Sequence, residues 1–288
     1  MIEGKVHDVR FHRYDGPRSG RAAALWSMTR WSALRALGAR RGWKAKIIPI
    51  ALTLTAFFPA LVVLGLRALF PSSINDNLES VLPYSDYAGI VGLVILVFAV
   101  VVTPELLCPD RRDGTLALYF ATAISRTDYV LGKVLAALLP LLLVTVVPLA
   151  ILYAGNVLFA THPLGYVQEH THDIVRILAA GTAMALYFAF VGLAIASLTG
   201  RRAFAIGGYL AFLIVPTIVG GILSNNIDHG DNFRLIAFAA VPIHVAESLY
   251  PVTPDVRDPS NTAWVTSWLA LIAVSALVLV WRFRGDES

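Results

Sequence analysis

Side chains able to do chemistry gather in two places. The first is residues 105–133, where Glu105, Asp110, Arg111, Arg112, Asp113, Gly114, Thr115 and Leu116 precede Ser125, Arg126, Asp128, Gly132 and Lys133. The second is the group His162, His170, His172 and Asp173. His170, His172 and Asp173 are suitable types for a divalent metal, but their spacing fixes no geometry, and solvated loop histidines are the simpler account. Gly132-Lys133 is followed by Val134 and lacks the upstream glycine of a phosphate-binding loop, so it is not a nucleotide motif. His-Glu-x-x-His, Gly-x-Ser-x-Gly and paired intramembrane carboxylates are all missing, which removes the chemistry of a membrane hydrolase or proton pump. Cys108 is the only cysteine, so neither an internal disulfide nor a multi-cysteine zinc site can form. Arg67 and Arg176 sit near helix ends, where an arginine either snorkels to the interface or attracts an anionic group.

The local sequence says how the first group is held. Ser125 and Asp128 make a capping box, with Ile124 and Tyr129 placed as its hydrophobic staple, so a helix enters there. Asp110 and Asp113 have the same spacing, which predicts a short helix starting near Arg111 and weakened by Gly114. The apolar segment from Leu116 to Ala123 is too short to span a bilayer and reads as a helix lying along the membrane face. Glu105 stands beside it and either faces a docked partner, pairs with Arg111 or Arg112, or is solvated.

The rest of the chain is apolar in runs. Of 288 residues, 57% are hydrophobic and 15% charged, against about a quarter charged in soluble domains. A run of about 18 or more apolar residues matches a hydrocarbon core ~30 Å thick. Six such runs are predicted as spans, near 47–70, 87–107, 134–160, 174–198, 203–223 and 262–281. Small residues four apart in the fourth (Gly181, Ala185, Ala189; Gly192, Ala196, Gly200) allow close helix packing. Lysine and arginine placement puts nineteen of the 23 on one side, which is therefore cytoplasmic and holds both termini. Residues 233–250 are apolar enough for a seventh crossing, but that would reverse the charge rule, so 225–261 is expected to be an outer re-entrant hairpin.

Residues 1–46 lack the apolar region of a signal peptide and are expected to be a cytoplasmic tail ending in a helix over 21–41. Trp26, Trp31, Arg35, Arg40 and Arg41 suit a membrane interface, with an ordinary basic tail as the alternative. The expected layout is then 1–46 tail and interfacial helix, 47–283 transmembrane domain and 284–288 cytoplasmic C-terminus.

The pattern acidic-x-x-acidic-Gly-Thr-Leu at Asp110 to Leu116, followed by Ile124-Ser-Arg and Leu131-Gly-Lys, resembles the loop after the second span in type-2 permeases of ATP-binding-cassette exporters. Glutamates usual in that family are replaced by Asp110 and Asp113. The resemblance is specific over 105–133 and topological elsewhere. It implies an all-α integral membrane protein of six transmembrane helices, with an N-terminal interfacial helix, a cytoplasmic coupling helix and an outer re-entrant hairpin before the last span. It implies that Glu105, Asp110, Arg111, Arg112, Asp113, Gly114, Thr115, Leu116, Ser125 and Arg126 couple to a separate ATPase subunit, present in two copies and holding ATP and Mg. Whether Asp110 and Asp113 contact that partner or only cap a helix stays open. The resemblance further implies a second permease chain, a location in the cell membrane, and no catalysis, cofactor or nucleic-acid binding by this chain. An amphipathic, lipid-like or drug-like cargo moved by alternating access suits the apolar composition. A membrane scaffold docking another cytoplasmic protein is the alternative, and a membrane enzyme built on the outer histidines a more distant one.

Overall fold

The computed structural model describes residues 20–39, 42–69, 82–121, 124–227, 230–251 and 259–284. Twelve α-helices occur among them, and six helical units are long and apolar enough to cross a membrane. Helix α1 (Arg21–Ala36) is followed by α2 (Trp43–Leu69), the first such unit. Helices α3 (Tyr87–Val102) and α4 (Pro104–Arg112) form one unit with a break at Thr103. Pro104 has no N–H for the carbonyl of Val100, and the Thr103 hydroxyl donates to the Ala99 carbonyl at 2.8 Å. Helix α5 (Leu116–Phe120) is a single short turn-and-a-half. Helices α6 (Arg126–Thr145) and α7 (Val147–Phe159) form the third unit, broken at Val146 just ahead of Pro148. After the short α8 (Pro163–Glu169) come α9 (Thr171–Ser197) and α10 (Arg202–Asn226), the fourth and fifth. Helix α12 (Asn261–Arg284) is the sixth.

The burial pattern orders these units. The apolar windows of α3–α4 and α9 are 72% and 67% buried, against 17–22% for α2, α10 and α12. The α3–α4 and α9 units are thus the centre, and the other three present apolar flanks outward. Glycine makes the central contacts possible. A Cβ on Gly192 of α9 would lie 2.5 Å from the Thr103 hydroxyl, and one on Gly181 would lie 2.5 Å from Val146 at the α6–α7 break. Gly200, the last of the small residues expected to pack closely, has no neighbour within 4 Å.

The segment 233–250 does not cross as a helix. It divides into a 3-10 turn (Gly230–Ile236) and α11 (Val241–Glu247), whose seven residues reach only about 10 Å. Its non-helical backbone is satisfied by protein. Tyr187 donates to the Phe238 carbonyl at 2.7 Å, and the Ala239 amide donates to the Thr217 hydroxyl at 3.0 Å.

Helix α1 ends earlier than the sequence predicts. Gly38, at φ +84°, closes a Schellman motif: its amide donates to the Arg35 carbonyl and the Ala39 amide to the Leu34 carbonyl, each at 2.9 Å. Its buried stripe is Met28, Thr29, Ser32, Ala33 and Ala36, while Trp26 and Trp31 are exposed. Apart from Met28 the buried face is made of hydroxyls and alanines, so hydrophobic periodicity does not mark it in the sequence. Arg40 and Arg41 lie outside the described residues.

Candidate functional site

The segment 105–133 folds differently from its sequence prediction. No helix begins at Arg111. Helix α4 runs through Asp110 and ends at Arg112, with Asp113 as its C-cap and Gly114 at φ +67°. The Thr115 amide donates to the Asp110 carbonyl at 3.1 Å, the six-to-one bond of a Schellman end. An acidic pair three apart favours a helix start, but the left-handed glycine that follows makes this the helix end. Gly114 therefore terminates one helix and does not weaken the next. At the other border the capping box forms as read: the Asp128 amide donates to Ser125 Oγ at 3.2 Å, and the Ser125 amide to Asp128 Oδ2 at 3.0 Å. Ile124 and Tyr129, the residues of the staple, are both buried.

Asp110 is neither a helix cap nor a surface contact. Its side chain is 1% exposed and ties its own helix, α4, to both α1 and α6. Arg35 of α1 donates to Oδ1 at 2.7 Å; Lys133 of α6 lies 2.6 Å from Oδ2; the Tyr129 hydroxyl donates to Oδ2 at 3.1 Å. Lys133, equally buried, donates to Ser32 of α1 at 3.0 Å and sits 5.6 and 5.3 Å from the ring centres of Tyr119 and Tyr129. Gly132 beside it accepts α1 directly: a Cβ there would meet Met28 Cε at 2.1 Å, and Thr29 donates to its carbonyl at 3.3 Å. Burial opposes the Arg35 charge, but Asp110 outweighs it and the guanidinium pKa rises above its ordinary value. Burial, then the Asp110 charge, raise the Tyr119 phenol, which stays protonated.

Four further polar links fasten this end. Glu105, also buried, pairs with Arg202 of α10, and Arg111 donates to the Ser197 carbonyl at the end of α9. Arg21 grips Asp128 through two N–H bonds of 2.7 Å. Arg126 donates to the Phe283 carbonyl at 3.2 Å, and the Phe283 ring lies 5.4 Å from that of Tyr129, which joins α12.

The ten residues expected to couple to a partner therefore divide. Glu105 and Asp110 are interior, held among cations, and Arg111 is half-buried and engaged. Thr115 and Leu116 are half-buried, with the Thr115 hydroxyl 3.3 Å from the Asp110 carbonyl, and Arg126 is half-buried against α12. Arg112, Asp113, Gly114 and Ser125 are exposed, Arg112 donating to Asp113 at 2.9 Å. Sequence reading missed Leu118, which is 70% exposed on α5. Its signal was position: it lies two residues from Leu116 and Phe120, and so on the opposite face of a short helix. The structural roles of Arg35 and Lys133 on Asp110 carried no local signal.

The histidines are not brought together as a ligand set. His170 stacks on Tyr166 with ring centres 4.1 Å apart, Asp173 pairs with Arg176 at 2.9 Å, and His172 is exposed. Among the described residues no three His, Cys, Asp or Glu side chains converge as metal ligands.

A family model described as "ABC-2 family transporter protein" matches residues 12–286. No curated protein matches the chain.

Proposed function

The chain belongs to the ABC-2 transporter family and is a transporter membrane subunit, and from that premise we propose that it is the permease of an ATP-driven exporter whose coupling surface is the tip of residues 112–125. The observation that carries this reading is the division within residues 105–133. Its interior residues weld α1, α4 and α6 through Asp110, while Arg112, Asp113, Gly114 and Leu118 face outward. A push on the tip would reach α3–α4 through the Gly114 cap and α6 through the Asp110–Lys133 pair, a contiguous route of packed and ion-paired groups. An exposed leucine flanked by a charged pair suits an apolar anchor in a partner's groove with a polar rim.

On this reading ATP and Mg are held by a separate ATPase subunit, two copies serving two permease chains, and the tip faces the cytoplasm in the cell membrane. The apolar flanks of α2, α10 and α12 support contact with lipid or with the second chain. A cleft of about 340 Å³ between α6, α9 and α12 has apolar walls from Val130, Leu131, Phe190 and Val280, with Arg126 and Arg284 at its rim. That lining suits an amphipathic cargo with an anionic head.

The test uses the permease co-purified with its ATPase. Leu118→Glu and Asp113→Arg are expected to reduce permease-stimulated ATP hydrolysis and transport at least tenfold, while the thermal midpoint of the permease alone stays within about 2 °C, since exposed positions contribute little to stability. Wild-type stimulation by both variants would overturn the assignment.

A further inference from the structure

The end of the bundle remote from the coupling tip holds a second cleft, of about 330 Å³, lined by polar groups: Tyr84, Asn156, His170, Asp173, Arg176 and Tyr250. Tyr250 is 8% exposed, and its hydroxyl has no hydrogen-bond partner among the described residues. A phenol removed from water without a partner costs stability, so this one stands as a donor awaiting an acceptor. Burial, and then the negative charge of Asp173, raise its pKa, which keeps the proton in place.

The surrounding groups also donate. Asn156, 5% exposed, accepts from Arg67 at 2.5 Å and donates to the Tyr84 hydroxyl at 2.7 Å, which leaves the second N–H of its amide. Arg176 binds Asp173 through one nitrogen at 2.9 Å and keeps further N–H groups on a side chain 36% exposed. Among the described lining residues the one carboxylate, Asp173, is paired with Arg176, and Arg67 holds Asn156 from behind. Donors from Tyr250, Asn156 and the free N–H groups of Arg176 in one cleft call for a compact ligand with several acceptor oxygens, and the guanidinium favours one that carries negative charge.

We propose that this cleft binds a phosphate group, with Tyr250 and Arg176 donating to its oxygens and Asn156, backed by Arg67, closing the far side. The volume holds about ten waters, enough for a phosphate and a glycerol-sized substituent but not for acyl chains. A phospholipid headgroup and a free phosphate ester share this chemistry. The assignment does not depend on coupling to an ATPase, and its test contains neither ATPase nor nucleotide.

The full chain, purified in detergent without phosphate or sulfate, is titrated calorimetrically with inorganic phosphate and with dihexanoyl phosphatidylglycerol below its micellar concentration, chloride serving as control. Wild-type protein is expected to bind at least one phosphate-bearing probe. Tyr250→Phe should weaken that binding about tenfold and Arg176→Gln more, while the unliganded thermal midpoint of Tyr250→Phe is unchanged or higher, because the lost hydroxyl had no partner. Binding of the lipid alone identifies the headgroup as source, and binding of inorganic phosphate with similar affinity identifies a soluble ester. Absence of binding by both probes, or full affinity in both variants, overturns the proposal.

Discussion

Asp110 is where residue identity most constrains the molecule. One carboxylate of 1% exposure meets Lys133, also 1% exposed, and Arg35, which is 32% exposed. Removing one member of a buried pair strands the other, at a cost of about 3–5 kcal/mol, whereas replacing both by apolar residues is often close to neutral. Asp110→Leu and Lys133→Met should therefore each lower the thermal midpoint strongly. The double variant should recover most of the loss, since Arg35 can turn to water. Midpoints of the three variants in detergent measure this, and a double variant as unstable as the two losses added together would show that the pair is not the unit. None of this was legible locally. Asp110 lies 75 residues from Arg35 and 23 from Lys133, and its acidic neighbour Asp113 made it resemble a helix start. The same holds for Glu105 and Arg202, which only the meeting of α4 and α10 brings together.

At the scale of elements, Gly38 and Gly114, the left-handed glycines among the described residues, fix where α1 and α4 stop and hence how residues 112–121 are presented. Gly38, at φ +84°, has the stricter position: a Cβ there would lie 2.9 Å from the backbone oxygen of Ala45. Left-handed backbone costs an L-residue about 1–2 kcal/mol before any clash. Gly38→Ala should thus lower the midpoint by several degrees. Gly207→Ala, inside α10 with nothing within 4 Å, should leave it unchanged or raise it slightly. Equal effects of the two substitutions would contradict this assignment. Spans were legible because run length and lack of charge suffice; their ends were not. Helix α6 starts at Arg126, eight residues before the predicted span at Val134, because its capping box begins the helix ahead of the apolar run. Helix α4 continues to Arg112, beyond the predicted end at Leu107, because a glycine stops it and polarity does not. The short α5 was legible from its length, the face it turns outward only from its neighbours.

Across the whole molecule, basic residues divide unequally between the two ends of the bundle. One end carries Arg21, Arg35, Arg111, Arg112, Arg126, Lys133, Arg202, Arg282 and Arg284, and there the contacts from α1, α4, α6, α9, α10 and α12 converge. The opposite end has Arg67 and Arg176, gathered about Asn156, Asp173 and the tyrosines. The excess of basic residues on the first end predicts that it faces the cytoplasm. Cys108 is buried and is the only cysteine, so a Cys108→Ala background allows single cysteines to report each end. Thr127→Cys, exposed beside the capping box, should react with a membrane-impermeant maleimide only after the cells are opened. Leu164→Cys, 82% exposed on α8, should react in intact cells. Six crossings place these positions on opposite faces, because one span, α6–α7, separates them. Labelling of both in intact cells would break the six-span topology, and the reverse pattern would turn the molecule over and move the tip proposed for coupling away from any cytoplasmic ATPase.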